Sequence, residues 1–418
     1  MNTIASCEII CVGTELLLGE IVNTNAAFLS RRLADIGINV YHQSVVGDNA
    51  RRLAEAIRTA LGRCELLILT GGLGPTYDDL TKETVASVSE RALKMDPVSL
   101  ERIRSYFKLT GRAMTQNNEK QALIPEGAKA IQNNYGTAPG IYLETNDNVI
   151  VMLPGPPNEL EPMFDEQVVP LIMQFTDGGI VSKSINIMGM GESAIEARLK
   201  ELMLNSTNPT IAPYAKFGEV RLRVSAKSST GDEGEAMALC NEMVERIKNT
   251  EIGEFIYGID EPSITHAALK RLRKLGLKVA TAESCTGGLV AKKLTDLAGS
   301  SDSFVSGVVS YCNEVKMQLL GVAPEIIAAH TEVSHECVCA MAEGVRKLLG
   351  ADVGIATTGY AGPGGGNERD PVGTVYIAIS TADNCISERL SYSSMRDRNF
   401  IREAAAARAL LLIIKHLH

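Results

Sequence analysis

A chain of 418 residues with 45% hydrophobic and 22% charged side chains is long enough for two or three domains, each with its own core. Its formal net charge of −9 argues against a protein that binds nucleic acid or lipid surfaces mainly through basic patches. Nine scattered cysteines, with no second pair at metal-ligand spacing, fit reduced thiols rather than a disulfide framework or a zinc site. No leader-like start and no long apolar span stand out, so the expected compartment is cytoplasmic.

The first predicted strand, residues 8–12, runs into Gly13-Thr14-Glu15-Leu16. A helix capped by Asn23, Thr24 or Asn25 continues to about Ile36, with Phe28, Leu29 and Leu33 at helical spacing and Gly37 as its stop. Residues 38–46 read as a strand and 48–62 as a helix. The unbroken run Leu66-Leu67-Ile68-Leu69 reads as a strand buried on both faces. This alternation predicts a parallel sheet with right-handed crossovers.

That third strand empties into Thr70-Gly71-Gly72-Leu73-Gly74-Pro75-Thr76-Tyr77-Asp78-Asp79. Gly71, Gly72 and Gly74 let backbone approach a ligand, and the following helix offers its N-terminus to an anion. Asp78 and Asp79 are candidate ligands for a magnesium ion shared with a pyrophosphate; an acidic helix start that complements the dipole is the competing reading. The Gly-Lys-Ser/Thr ending of a Walker A loop is missing. Further on, Leu153-Pro154-Gly155-Pro156-Pro157 follows a strand at 149–153 and forms a proline-set turn at a sheet edge.

Periodicity breaks at Thr176-Asp177-Gly178-Gly179, the predicted first boundary. Residues 183–257 read as strand, helix, two strands, helix and strand, a small α+β module, and 258–262 as a linker.

The last domain holds the most informative stretch, Val279-Ala280-Thr281-Ala282-Glu283-Ser284-Cys285-Thr286-Gly287-Gly288-Leu289. A hydroxyl at a strand-to-helix turn lies beside the N–H groups of a first helical turn, which can stabilise an oxyanion; a helix-capping serine is the plain alternative. A second strand, 304–309, delivers Tyr311 and Lys316 to a helix start, where α/β sheets place their chemistry. Serine, lysine and tyrosine at successive strand ends suit a serine–lysine hydrolase. A buried strand at 353–356 precedes the glycine-dense loop 357–366, a candidate substrate cradle, and a strand at 373–379. The C-terminal helix, from about Arg398, starts among Arg396, Arg398 and Arg402, where an anionic ligand would relieve their conflict with the dipole.

Together these segments resemble the competence/damage-inducible protein A (CinA) family over nearly the whole chain. Gly13-Thr14-Glu15-Leu16, Thr70 to Thr76 and the proline turn resemble its N-terminal domain. The Ser284 segment, Tyr311 to Lys316 and Ala361 to Gly366 resemble its C-terminal domain. The implied α/β fold is a three-layer molybdopterin-binding (MoaB/MogA-like) domain over residues 1–175, a KH-like α+β domain over 176–257, and an α/β nicotinamide mononucleotide deamidase domain over 258–418.

The resemblance implies hydrolysis of the carboxamide of nicotinamide mononucleotide to nicotinate mononucleotide and ammonia, with no cofactor. It assigns Ser284 as nucleophile, Lys316 as its base and Tyr311 as an aid to proton transfer. Thr286, Gly287, Thr358, Gly364, Gly365 and Arg398 would hold substrate, Arg398 through its phosphate. Arg396 stands where the family tends to have glycine. For the N-terminal domain the resemblance implies a divalent-metal (magnesium) ADP-ribose pyrophosphatase, with Gly71, Gly72, Gly74, Thr76, Asp79 and Gly155 on the nucleotide and Asp78 and Asp79 on the metal. The expected partners are these small nucleotides and a second copy of the chain, with no membrane and no nucleic acid. The competing function is a non-catalytic nucleotide- or molybdopterin-binding accessory protein linked to competence.

Overall fold

The computed structural model describes residues 3–175, 180–216, 218–228 and 232–418. The predicted boundary at 176–179 lies outside the described residues.

Strands β1 (Ser6–Val12), β2 (Asn39–Val46), β3 (Leu66–Thr70), β4 (Lys129–Ile131), β5 (Gly140–Glu144) and β6 (Val149–Leu153) form one sheet in the order β2-β1-β3-β6-β5-β4. Its first four members are parallel, as the strand–helix alternation requires. The sheet is nevertheless mixed, because β6, β5 and β4 follow one another as antiparallel neighbours. Alternation along the central strands explains their unbroken apolar character. Leu66 and Ile68 enter one core with Ile9 and Leu29, while Leu67 and Leu69 enter another with Ile10 and Ile57. Both faces are covered by helices, α1 (Thr24–Asp35) and α2 (Ala50–Leu61) among them. Asn23 and Asn49 cap these through the amides of Ala26 and Arg52.

The middle module is a four-stranded sheet, β7 (Ile180–Met188), β8 (Thr210–Lys216), β9 (Glu219–Lys227) and β10 (Ile256–Ile259), in the order β8-β9-β7-β10. It carries helices α3 (Glu192–Asn205) and α4 (Glu233–Lys248).

The last sheet comprises β11 (Val279–Glu283), β12 (Phe304–Val309), β13 (Val353–Gly359), β14 (Thr374–Ser380) and β15 (Cys385–Ser391), in the order β12-β11-β13-β14-β15. β11 runs parallel to both its neighbours, and β14 and β15 are antiparallel additions. One face packs on α5 (Ile264–Leu275) and α6 (Arg398–His416), the other on α7 (His335–Leu348). Two short helices, α8 (Leu289–Thr295) and α9 (Asn313–Leu320), start beyond the C-terminal ends of β11 and β12. That edge is where the strand order reverses around β11, the sheet's first strand in the chain, the place such sheets leave a crevice.

Candidate functional site

Adjacency of β11 and β12 brings two segments together that are 32 positions apart in the chain. Glu283 pairs with Val309, and the Ser310 amide donates to the Glu283 carbonyl at 2.8 Å. The residues that leave the two strands therefore emerge side by side. Lys316 Nζ lies 3.2 Å from Ser284 Oγ. Both are buried, at 1% and 8% exposure. Burial disfavours the ammonium, so the Lys316 pKa is lowered from 10.5; Cys337 and Glu332 oppose this only in part. The pair has the geometry of a hydroxyl beside an amine that sheds its proton unusually easily.

The turn after Ser284 is built by groups that composition did not reveal. The Ser284 amide donates to the Thr357 carbonyl on β13, and Gly287 closes the turn on the Ser284 carbonyl at 3.1 Å. Gly287 and Gly288 take φ values of 62° and 91°, a region that favours glycine. Beneath the turn the buried Glu283 carboxylate accepts from the Thr286 hydroxyl at 2.7 Å and from the amides of Val290 and Ala291 at 3.0 and 2.8 Å. This corrects the expectation that the first turn of α8 could stabilise an anion, because Glu283 already occupies those amides. The signal for it was present: an acidic residue at a strand end, seven and eight positions before the helix amides it caps. The amides of Cys285 and Thr286 donate to no backbone carbonyl among the described residues. They remain the candidate oxyanion donors.

Arg398 and Arg402 both reach this turn region from the start of α6. Arg398 donates to the Tyr311 hydroxyl at 2.9 Å and to the Gly362 carbonyl at 2.7 Å. Arg402 donates to the carbonyls of Cys285 and Thr286 at 3.2 and 2.7 Å. The conflict of arginines with the helix dipole is met within the chain, since Asp397 caps α6 through the Phe400 amide. An anionic ligand is not needed to explain them.

The other predicted residues are placed unevenly. Tyr311 is 63% exposed, and its hydroxyl bonds to Arg398; among the described residues no hydrogen bond joins it to Ser284 or Lys316. Thr286 is buried, its hydroxyl held between Glu283 and Thr357, so only its backbone is offered to a ligand. Thr358 is likewise buried and donates to the Glu332 carbonyl at 2.7 Å. Gly287, Gly364 and Gly365 are exposed, and Gly365 lies over the Tyr360 ring.

The N-terminal candidates all line one cavity of about 530 Å³: Gly71, Gly72, Gly74, Thr76, Asp78, Asp79 and Gly155. Gly71, at φ 97°, passes so close to β1 that a Cβ would sit 2.2 Å from the Val12 carbonyl oxygen. At Gly74 a Cβ would meet Asp79 Oδ2 at 2.4 Å. Asp79 Oδ2 accepts from the Thr76 amide at 2.8 Å, and the single proton of the Thr76 hydroxyl is shared between Asp78 Oδ1 and Asp79 Oδ2. None of these three bonds uses Asp78 Oδ2 or Asp79 Oδ1. No group of three or more His, Cys, Asp or Glu converges among the described residues. The pair fits magnesium, which binds through one or two carboxylates together with substrate phosphates and water. Lys120 steadies the loop by donating to the carbonyls of Asp79 and Thr76 at 2.7 and 3.2 Å. Asn25, read only as a helix cap, instead bridges Thr70 and the Gly155 carbonyl at 3.0 and 2.7 Å, tying the glycine and proline loops together.

Comparison with known proteins agrees with this arrangement. Residues 8–174 match the "Probable molybdopterin binding domain", 182–258 the "Damage-inducible protein CinA KH domain" and 261–417 the "CinA C-terminal domain". CinA-like proteins of Dictyoglomus thermophilum and Kosmotoga olearia are 46% and 45% identical over 407 and 403 residues, covering 97% and 96% of this chain and 97% of each relative. The chain belongs to the CinA family. Its three-domain α/β layout is that of the family, and the Ser284–Lys316 pair falls in its CinA C-terminal domain. The crystal structure of CinA from Thermoplasma acidophilum is 36% identical, covering 40% of this chain and 99% of that one with a TM-score of 0.38. Among the described residues of this CinA chain, no helix is long and apolar enough to cross a membrane.

Proposed function

We propose that the C-terminal domain hydrolyses the carboxamide of nicotinamide mononucleotide, giving nicotinate mononucleotide and ammonia. The observation that carries this reading is the buried 3.2 Å contact between Ser284 Oγ and a lysine whose pKa is lowered by burial. Resemblance to the CinA family supports the choice of substrate; the residues suggest the chemistry. Neutral Lys316 takes the hydroxyl proton as Ser284 Oγ attacks the carboxamide carbon. The carbonyl oxygen becomes an oxyanion beside the amides that follow Ser284. As the tetrahedral adduct collapses, the Lys316 ammonium returns the proton to the leaving nitrogen and ammonia departs. Water, deprotonated by the same amine, then cleaves the acyl–Ser284 ester and restores the serine hydroxyl. The pyridinium charge of the substrate helps hold Lys316 neutral at the start. Arg398, exposed and bonded to Tyr311, is the cation that would take the phosphate, exchanging the Gly362 carbonyl or Tyr311 for an anionic partner. Ammonia release by wild type and by Ser284→Ala tests the reading. Wild-type turnover with Ser284→Ala reduced to background supports it, and equal rates remove Ser284 as the nucleophile.

A second activity is favoured by the N-terminal cavity, where three glycines, the proline turn and two carboxylates share one wall. It would take a pyrophosphate such as ADP-ribose, with Asp78 and Asp79 holding magnesium, which supplies charge neutralisation on the phosphates. Backbone amides of the glycine loop would bind and orient the anion.

A further inference from the structure

We propose that Arg402 sets two peptide planes of the turn after Ser284, and so aims the Thr286 amide, one of the two candidate oxyanion donors. The inference rests on the amidohydrolase reading above. Two N–H groups of one guanidinium, Nε and Nη2, grip two successive carbonyls, Cys285 and Thr286. In a trans peptide the carbonyl and the N–H point in opposite directions, so fixing these oxygens fixes the directions of the Thr286 and Gly287 amides. The Gly287 amide is spent on the Ser284 carbonyl, and no backbone carbonyl among the described residues accepts from that of Thr286. A cation on a carbonyl also polarises its peptide group, which makes the N–H on the far side a stronger donor.

The Thr286 carbonyl also accepts from the Leu289 amide, at a longer 3.4 Å, whereas no backbone amide among the described residues donates to that of Cys285. Glu283 fastens the other side, gripping the Thr286 hydroxyl and the amides of Val290 and Ala291. With the amides of α8 occupied, oxyanion stabilisation falls to the turn itself, whose geometry is fixed by Glu283 below and Arg402 above. The base of α6 is steadied in turn by the Asp397 cap, and its Glu403 pairs with Lys293 of α8 at 2.7 Å. The guanidinium lies alongside Gly287, where a Cβ would make ordinary contact with Arg402 Nη2 at 3.4 Å, so it is the φ of 62° that favours glycine there.

A positioning residue and a phosphate ligand make opposite kinetic predictions. With nicotinamide mononucleotide as substrate, Arg402→Gln is expected to lower kcat on the order of 10- to 100-fold, below or equal to the loss of a whole oxyanion donor, with KM changed less than about 3-fold. Arg402→Lys can reach only one of the two carbonyls and is expected to fall between Arg402→Gln and wild type. Calorimetric binding of nicotinate mononucleotide to both variants should match wild type, and thermal unfolding reports whether each is folded. An unchanged kcat with raised KM and weakened product binding would make Arg402 a phosphate ligand and overturn the proposal, as would wild-type kinetics in a folded Arg402→Gln. Wild type and Ser284→Ala run alongside separate this result from failure of the amidohydrolase reading, in which wild type itself releases no ammonia.

Discussion

The two candidate sites handle their polar atoms in opposite ways. In the N-terminal domain the chemistry-bearing carboxylates, Asp78 and Asp79, stand on an exposed or half-exposed loop, and the buried wall is backbone and glycine. In the C-terminal domain the reactive pair is buried, and the exposed groups, Arg398 and Tyr311, lie around it. Carboxylates in water keep their charge and suit a hydrated cation; an amine out of water loses its charge and suits proton abstraction. The contrast therefore separates a site suited to a hydrated cation from a site suited to proton abstraction.

The sharpest way to break this contrast is Lys316→Met. Methionine fills a similar volume without an amine that must be desolvated, so the folded chain should be as stable as wild type or more so. Ammonia release should nonetheless fall on the order of 1,000-fold, within the range for a lost general base. Retained activity, or a folded yield too low to assay while Ser284→Ala folds normally, would make Lys316 a packing residue. On the other side, Asp79→Asn keeps one oxygen for the Thr76 amide and removes the charge. Magnesium-dependent hydrolysis of ADP-ribose should drop on the order of 100-fold or more with deamidation unchanged. Loss of both activities together would mean that the sites are not independent.

How far the sequence reached can be argued from the same residues. The turn after Ser284 is legible because a buried strand running into Ser-Cys-Thr-Gly-Gly leaves few alternatives to a tight strand-to-helix turn. The glycine loop after β3 was legible for the same reason. What could not be read was convergence: Lys316 meets Ser284 only because β12 pairs with β11, and strand order is not written in local periodicity. The ligands of the turn were hidden differently. Glu283 looks like the polar end of a strand, and Arg402 like one more surface arginine, until the tertiary fold brings carbonyls and amides to them. The edge strand β15 was missed because its exposed, polar alternation, Cys-Ile-Ser-Glu-Arg-Leu-Ser, resembles a loop. Helix 324–330 was too short to show a period.

A pH series gives a smaller effect with a fixed sign. If neutral Lys316 is the base, kcat/KM should rise up to tenfold per pH unit below its lowered pKa and level off above it. Stability should move the same way. Between the folded pKa and 10.5 the unfolded chain binds more protons at this lysine, so its contribution grows as pH rises and is least below the folded value. Lys82, buried in the N-terminal domain and pushed down to about 8, acts in the same direction between about 8 and 10.5. Urea unfolding across this range should therefore show a slope that Lys316→Met reduces and Lys82→Met reduces separately. A kcat/KM profile that shows no rise with pH anywhere below 10.5 would deny Lys316 the role of base.

Thr358 yields the smallest expected effect and the finest distinction between holding substrate and holding the site. Family resemblance gives it to the substrate, yet its hydroxyl donates to the Glu332 carbonyl, and Glu332 in turn accepts from the Tyr360 hydroxyl at 3.4 Å. A hydroxyl has one proton, so while that bond stands Thr358 can only accept from a ligand. Thr358→Val keeps the shape and deprives the Glu332 carbonyl of its donor, at a cost of about 1 kcal/mol and a fall in Tm of about 2–4 °C. KM for nicotinamide mononucleotide should stay within about 3-fold of wild type, and Thr358→Ser should recover the stability. A tenfold rise in KM at unchanged Tm would instead mean that the hydroxyl turns to the substrate when it binds. The Glu332 carbonyl would then be satisfied by something else in the complex, and the glycine loop beside it would be part of the binding step rather than its scaffold.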